Sequence, residues 1–248
     1  MLFILRQLRR SFFQPGKLRT YLAYAFGEIV LIVFGILIAV QIGDWKEERK
    51  IERQRVELID DLKEDFRTSL KRLETSISKA KEINDNLLAF LNVAAGENNH
   101  LSLAELKSLA SYGMEGIWFQ PAQGAYKSAL STGDIGLLED SVLNEFFIDF
   151  EADYLDFQGL HEVSRRGMFE GENMAMRRML GSIHTLYETT YHTPEVFRLS
   201  DEEYRHVIAQ KEVYSAFENR QWVSRSTLSR LEQLKSTAED ILNRLEDI

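Results

Sequence analysis

TYLAYAFGEIVLIVFGILIAVQIG, residues 20–43, is apolar around the whole circumference of a helix and carries one charge, Glu28. At 1.5 Å per residue, Tyr21 to Ile42 spans about 33 Å, which matches a hydrocarbon core of about 30 Å. Tyr21, Tyr24 and Trp45 flank the run, where amphipathic rings favour the headgroup level. The pattern predicts a transmembrane helix over 21–43 that anchors the chain as a single-pass membrane protein. A buried core helix of a soluble domain is a poor fit, because so long an all-round apolar run rarely finds enough protein to cover it. A cleaved signal peptide fits no better: the apolar run is too long for one.

Outward from this run the composition splits. Residues 1–20 carry Arg6, Arg9, Arg10, Lys17 and Arg19 and no acid. The start, MLFILRQLRRSFF, reads either as an amphipathic segment lying among headgroups or as a frayed basic tail. The whole chain has 30 basic and 39 acidic residues. Setting aside those five bases and Glu28 leaves 25 bases against 38 acids after Gly43, a domain far too acidic to hold nucleic acid. Lys46, Arg49, Lys50, Arg53 and Arg55 follow the apolar run closely, so the positive-inside count is nearly balanced. We expect a cytoplasmic N-terminus and a periplasmic C-terminal domain, since long domains translocate largely regardless of charge. There is no cysteine, which rules out disulfides and thiolate chemistry without selecting a compartment.

On a wheel at about 100° per residue with Glu28 at zero, Tyr21, Tyr24, Gly35 and Ala39 fall within about 40°, and Gly43 within about 60°. Gly35, Ala39 and Gly43 form a small-xxx-small series, the spacing that lets helix backbones approach in lipid. An acid in hydrocarbon costs a few kcal/mol unless paired, protonated or wetted. Its partner would have to come from another copy of the chain or another membrane protein. The expected site is therefore Tyr21, Tyr24, Glu28, Gly35, Ala39 and Gly43, serving either assembly or, with Glu28 facing inward, a pore, the third reading of Glu28 being a carboxyl close enough to the headgroups to be solvated.

Beyond Gly43 the pattern is helical. Over 44–95 apolar positions recur at steps of three or four, at Ile59, Leu62, Phe66, Leu70, Leu73, Ile77, Ala80, Ile83, Leu87 and Leu91, with no Gly or Pro from Asp44 to Ala95. The steps are not strict heptads, so a bundle helix fits as well as a coiled coil. The membrane helix is expected to continue into this long helix and then into a helical bundle over 96–248, an all-α fold. Gly96 to His100 ends the helix. Ser102 with Glu105 and Ser200 with Glu203 are capping boxes. Tyr112 to Gln123 is the expected irregular stretch, with Trp118 and Phe119 packing on the core. Helices are expected over Ala125 to Leu130, from Val142 to about Leu180, from Ser200 to about Phe217 and from Arg220 to Leu245. The last should pack antiparallel on the first long helix through short connections.

Chemical signatures are missing. The histidines are His100, His161, His184, His192 and His206, none at the i, i+4 spacing of a helical zinc site. No phosphate loop, dinucleotide fingerprint or nucleophile elbow occurs. The acids Glu170, Glu172, Asp153 and Asp156 read as solvated faces; the methionines from Met168 to Met179 read as packing, with a soft-metal or partner surface as the alternative, and His184 to His192 as a helix end, with a ligand site as the alternative. We expect no catalytic residue, cofactor or metal, and no enzyme.

The segments YAFGEIVL at 24–31, GILIAVQI at 35–42 and WKEERK at 45–50 resemble the N-terminal signature of a bacterial family of unknown function. A second segment, AYKSALSTGDIGLL at 125–138 with Leu143 and Tyr154, is similar to that family's internal Tyr-x-x-Leu-x-x-Ser-Gly motif. Gly43-Asp44, where Asn is common before the Trp, and Thr132 before the glycine depart mildly from it. The resemblance implies one N-terminal membrane helix, a helical remainder and a bacterial inner-membrane location, and implies no activity. The readings carried forward are a membrane-anchored helical interaction or scaffold subunit, an oligomeric channel, and an extracytoplasmic ligand-sensing domain. The partners expected are membrane lipids and a second copy or another membrane protein.

Overall fold

The computed structural model describes residues 17–97, 100–113, 115–169 and 199–248. All regular structure among them is helical: α1 (Lys17–Ala94), α2 (Leu103–Gly113), α3 (Gly124–Thr132), a 3₁₀ turn (Asp134–Leu138), α4 (Ser141–Phe169), α5 (Asp201–Ile208) and α6 (Lys211–Glu246). The chain is all-α, as the periodicity requires. It divides into two units, Met1–Glu57 and Leu58–Ile248.

In the first unit, α1 contains the one described helix long and apolar enough to cross a membrane, with mean hydropathy 2.5 over its most apolar window and none of that window buried. Just beyond it, Arg49 lies over the Trp45 ring at 3.9 Å and Lys50 pairs with Glu47.

In the second unit Ile59, Leu62, Phe66, Leu73, Ile77, Ile83, Leu87 and Leu91 of α1 are buried, Leu70 is partly buried and Leu88 is exposed. The helix ends where expected, at Gly96, whose φ of 95° suits glycine. There the Gly96 and Glu97 amides reach back to the Val93 and Asn92 carbonyls, closing the end as a Schellman-type cap. Both capping boxes form: Ser102 and Glu105 exchange side-chain and backbone bonds, as do Ser200 and Glu203.

Pairs across the unit fix its helix directions. Arg67 with Glu246, Lys81 with Glu232 and Phe90 with Phe217 make α1 and α6 antiparallel. Asp140 with Arg244, Asp153 with Thr237 and Ser164 with Arg220 do the same for α4 and α6. Helices α1 and α4 therefore run the same way, and the connection between them cannot be short. It must return along the bundle, and it does so as α2, an extended strap over 115–123, α3 and the 3₁₀ turn. The expectation of short connections is corrected on this point: parallel neighbours demand a crossover.

The break between the two C-terminal helices also lies elsewhere than the sequence expectation: α5 starts at the Ser200 cap as expected but ends at Ile208. Gln210 is extended, with φ −70° and ψ 140°, and α6 begins at Lys211 rather than Arg220. The break turns Tyr204 and Ile208 of α5 and Val213 and Phe217 of α6 all into the core. The polar run Glu218-Asn219-Arg220 does not interrupt α6. Arg220 is buried, with its guanidinium donating to the Gly113 and Glu115 carbonyls and to Ser164 Oγ. Gly113 has its own packing reason, since a Cβ there would sit 2.6 Å from Leu87 Cδ2. Helix α4 is described to Phe169; its expected extension to Leu180, the later methionines and the His184 to His192 stretch lie outside the described residues.

Candidate functional site

The predicted membrane-face residues all lie on α1 in the first unit. Tyr21 and Tyr24 are exposed, Tyr24 by 78%. Gly35 and Gly43 have open space where a Cβ would stand. The geometry adds two residues that the wheel left out. An open notch of about 580 Å³ runs beside Tyr24 and Glu28, with Ala23, Gly27 and Leu31 along it. Gly27 too has nothing within 4 Å of a built Cβ. Ala23, Gly27, Leu31, Gly35, Ala39 and Gly43 are successive members of one i, i+4 row. Rows of that kind lie oblique to the helix axis and form the groove along which a second helix crosses. Continuing the i, i+4 row backward past Leu31, which interrupts the small-residue series, reaches Gly27 and Ala23 in the sequence.

A different cleft, of about 850 Å³, lies in the second unit between α1, the strap and α4. Its construction begins with the strap. An extended segment has backbone donors and acceptors that must be satisfied, and α1 supplies partners in order. Lys79 pairs with Glu115 at 2.8 Å, and Ser76 Oγ donates to the Trp118 carbonyl at 2.7 Å. Arg72 donates to the Gln120 carbonyl at 3.0 Å. Ser69 Oγ accepts from the Ala122 amide at 2.9 Å, and Asp65 accepts from the Ala125 amide at 2.8 Å. The hydrogen bond that Lys79 donates to Glu115, reinforced by Glu82, holds its ammonium above its ordinary pKa despite some desolvation.

This zipper sets the alternation of side chains along the strap. Ile117 and Phe119 turn inward and are buried, while Trp118 between them is 72% exposed. Phe119 thus packs on the core as expected and Trp118 does not. The Trp118 ring lies against α4, its centroid 4.4 Å from that of His161 and inclined by 55°. It folds back over Gly116, where a Cβ would stand 2.9 Å from the indole Nε1. Beneath, Phe119 meets Tyr154 and Phe157 edge-on at 5.9 and 6.0 Å, and Phe157 is buried. Arg72, Thr75, Gln158 and Glu162 bring polar groups to the cleft, with Arg166 bonded to Glu162 at 3.0 Å. The cleft is thus an aromatic floor inside a polar rim. No group of three or more His, Asp or Glu that could hold a metal occurs among the described residues.

No curated protein and no solved structure matches the chain. A family described as a family of unknown function, DUF6090, matches residues 28–157, from Glu28 in the apolar run to Phe157 in the cleft. That match covers more than half of the chain, which therefore belongs to this family.

Proposed function

We propose that the protein is a single-pass membrane subunit that assembles through its apolar helix and presents its helical domain to partners. The observation that carries this reading is the open space at Gly27, Gly35 and Gly43. A helical glycine costs about 0.5–1 kcal/mol relative to alanine, and no contact within the chain at these positions requires one. A second helix lying in the oblique row would use the missing side chains, since close backbone approach is what drives association in lipid. Glu28 and Tyr24 border the same notch, where a polar contact between helices would answer the cost of a carboxyl in hydrocarbon. The membrane is proposed to be a bacterial inner membrane, with the residues after the helix on the periplasmic side. No reaction is assigned to the chain.

The test is the oligomeric state of the full chain in lipid nanodiscs or mild detergent, read by crosslinking and native mass spectrometry. Wild type is expected to form a discrete oligomer, and Gly35→Leu, Ala39→Leu and Gly27→Leu to shift it toward monomer. A strictly monomeric wild type would sink the reading. A pore is a distinct outcome: ion flux in liposomes that falls in Glu28→Gln would place the carboxylate on the conducting path.

A further inference from the structure

We propose that the cleft between α1, the strap and α4 is a saccharide-binding site, in which a pyranose ring stacks on Trp118 and its hydroxyls bond to the polar rim. The proposal stands apart from assembly in the membrane, because every residue it uses lies in the second unit.

The first argument is charge. Arg72 and Glu162 are the ionised side chains lining the cleft, one of each sign. Arg72 already donates to the Gln120 carbonyl, and Glu162 already accepts from Arg166. A phosphorylated ligand would need several uncommitted cations, and a polyamine several acids; the cleft supplies neither. A neutral ligand matches this balance.

The second argument is the distribution of polarity. A pyranose presents an apolar C–H face and a rim of hydroxyls that both donate and accept. The cleft presents the complement: aromatic surface from Trp118, Phe119 and Tyr154, bordered by Thr75, Gln158 and His161. Hydroxyl, amide and imidazole groups can each donate and accept. Thr75 already donates to the Lys71 carbonyl, but a purely aromatic or aliphatic ligand would bury the Gln158 amide and the His161 imidazole without offering them partners, at about 1–3 kcal/mol per stranded group.

The third argument is size and presentation. A volume near 850 Å³ lies within the about 300–1,000 Å³ typical of small-molecule sites, and it has room for more than one ring. Trp118 is held for such use, because the zipper to α1 fixes its backbone while its ring stays 72% exposed. An indole normally gains by burial. Here it is displayed at the mouth of a cleft, tilted against the His161 ring.

The experiment uses the full chain in lipid nanodiscs, free of sugar-based detergents that would compete. Cellotetraose, chitotetraose and mannotetraose are titrated as probes, followed by tryptophan fluorescence and saturation-transfer NMR. At least one is expected to bind saturably and to change the fluorescence. Trp118→Ala is expected to weaken that binding by about tenfold or more. Trp118→Phe, which keeps an aromatic face, should lose less. Gly116→Ala, which displaces the ring, should also weaken binding while the circular dichroism stays that of the wild type. Trp222→Ala, on exposed α6 surface away from the cleft, should bind as wild type does. The proposal is overturned if none of the probes binds, if binding survives Trp118→Ala, or if p-cresol occupies the cleft while the saccharides do not.

Discussion

Asp140 and Asp153 are both aspartates at the α4–α6 contact, yet their surroundings shift them in opposite directions. Asp140 precedes α4 and accepts from the Leu143 amide at 2.9 Å, capping the helix. It also accepts from Arg244 at 2.7 Å. The Leu143 amide, with Arg244 adding to it, holds the carboxyl below the ordinary aspartate range. Asp153 is pushed up, because burial outweighs Thr237 and Arg230 beside it. A lowered folded-state pKa means that Asp140 stabilises the fold fully above the ordinary aspartate value of about 4. That contribution fades as pH falls through the lower folded value. Asp140→Ala is expected to cost about 0.5–2 kcal/mol at neutral pH. Thermal unfolding at neutral pH and at about pH 3 should show the gap between variant and wild type narrowing in acid. A gap that stays constant would mean that the charged form is not what matters.

The strap is an element without secondary structure of its own, held by side chains of a neighbouring helix. Ser69 is fully buried and serves Ala122 twice, accepting from its amide and donating to its carbonyl at 3.2 Å. Ser69→Ala would strand both backbone groups, at about 1–3 kcal/mol for a buried unsatisfied group. Hydrogen exchange followed by mass spectrometry should show faster exchange across 115–123, with α6 little changed. Equal protection in the variant would mean that the two Ser69 bonds are not needed to hold the strap. Repeated Ser, Arg and Lys positions on α1 would ordinarily read as a solvated face, and here that face is the template for an extended chain.

At the scale of the whole molecule, the buried apolar side chains of the second unit form one core, running from Ile59 on α1 to Leu245 on α6. The exposed apolar run lies in the first unit. A chain beginning at Arg49 keeps the core intact and loses the apolar run. It is expected to be soluble without detergent, helical by circular dichroism and cooperative in thermal unfolding. Aggregation, or loss of the cooperative transition, would mean that residues before Arg49 support the core.

Features that depend on local chemistry were legible in the residues alone. The apolar length of 21–42, the glycine stop at Gly96, both Ser–Glu capping boxes and the helical period of α1 are short-range patterns, and each appears where it was read. The sequence by itself determined an all-α chain with one helix apolar enough to cross a membrane, because periodicity and hydropathy are properties of consecutive residues. Only the tertiary structure decided that α1 and α4 run parallel, and hence that a crossover must return between them. It also decided that Trp118 faces outward while Phe119 faces the core, since the Ser76 and Arg72 bonds that orient the strap join residues 42 and 48 positions apart. The aromatic cleft arises from that same long-range pairing. A hydrogen bond from a helix side chain to a distant carbonyl leaves no periodic trace along the chain.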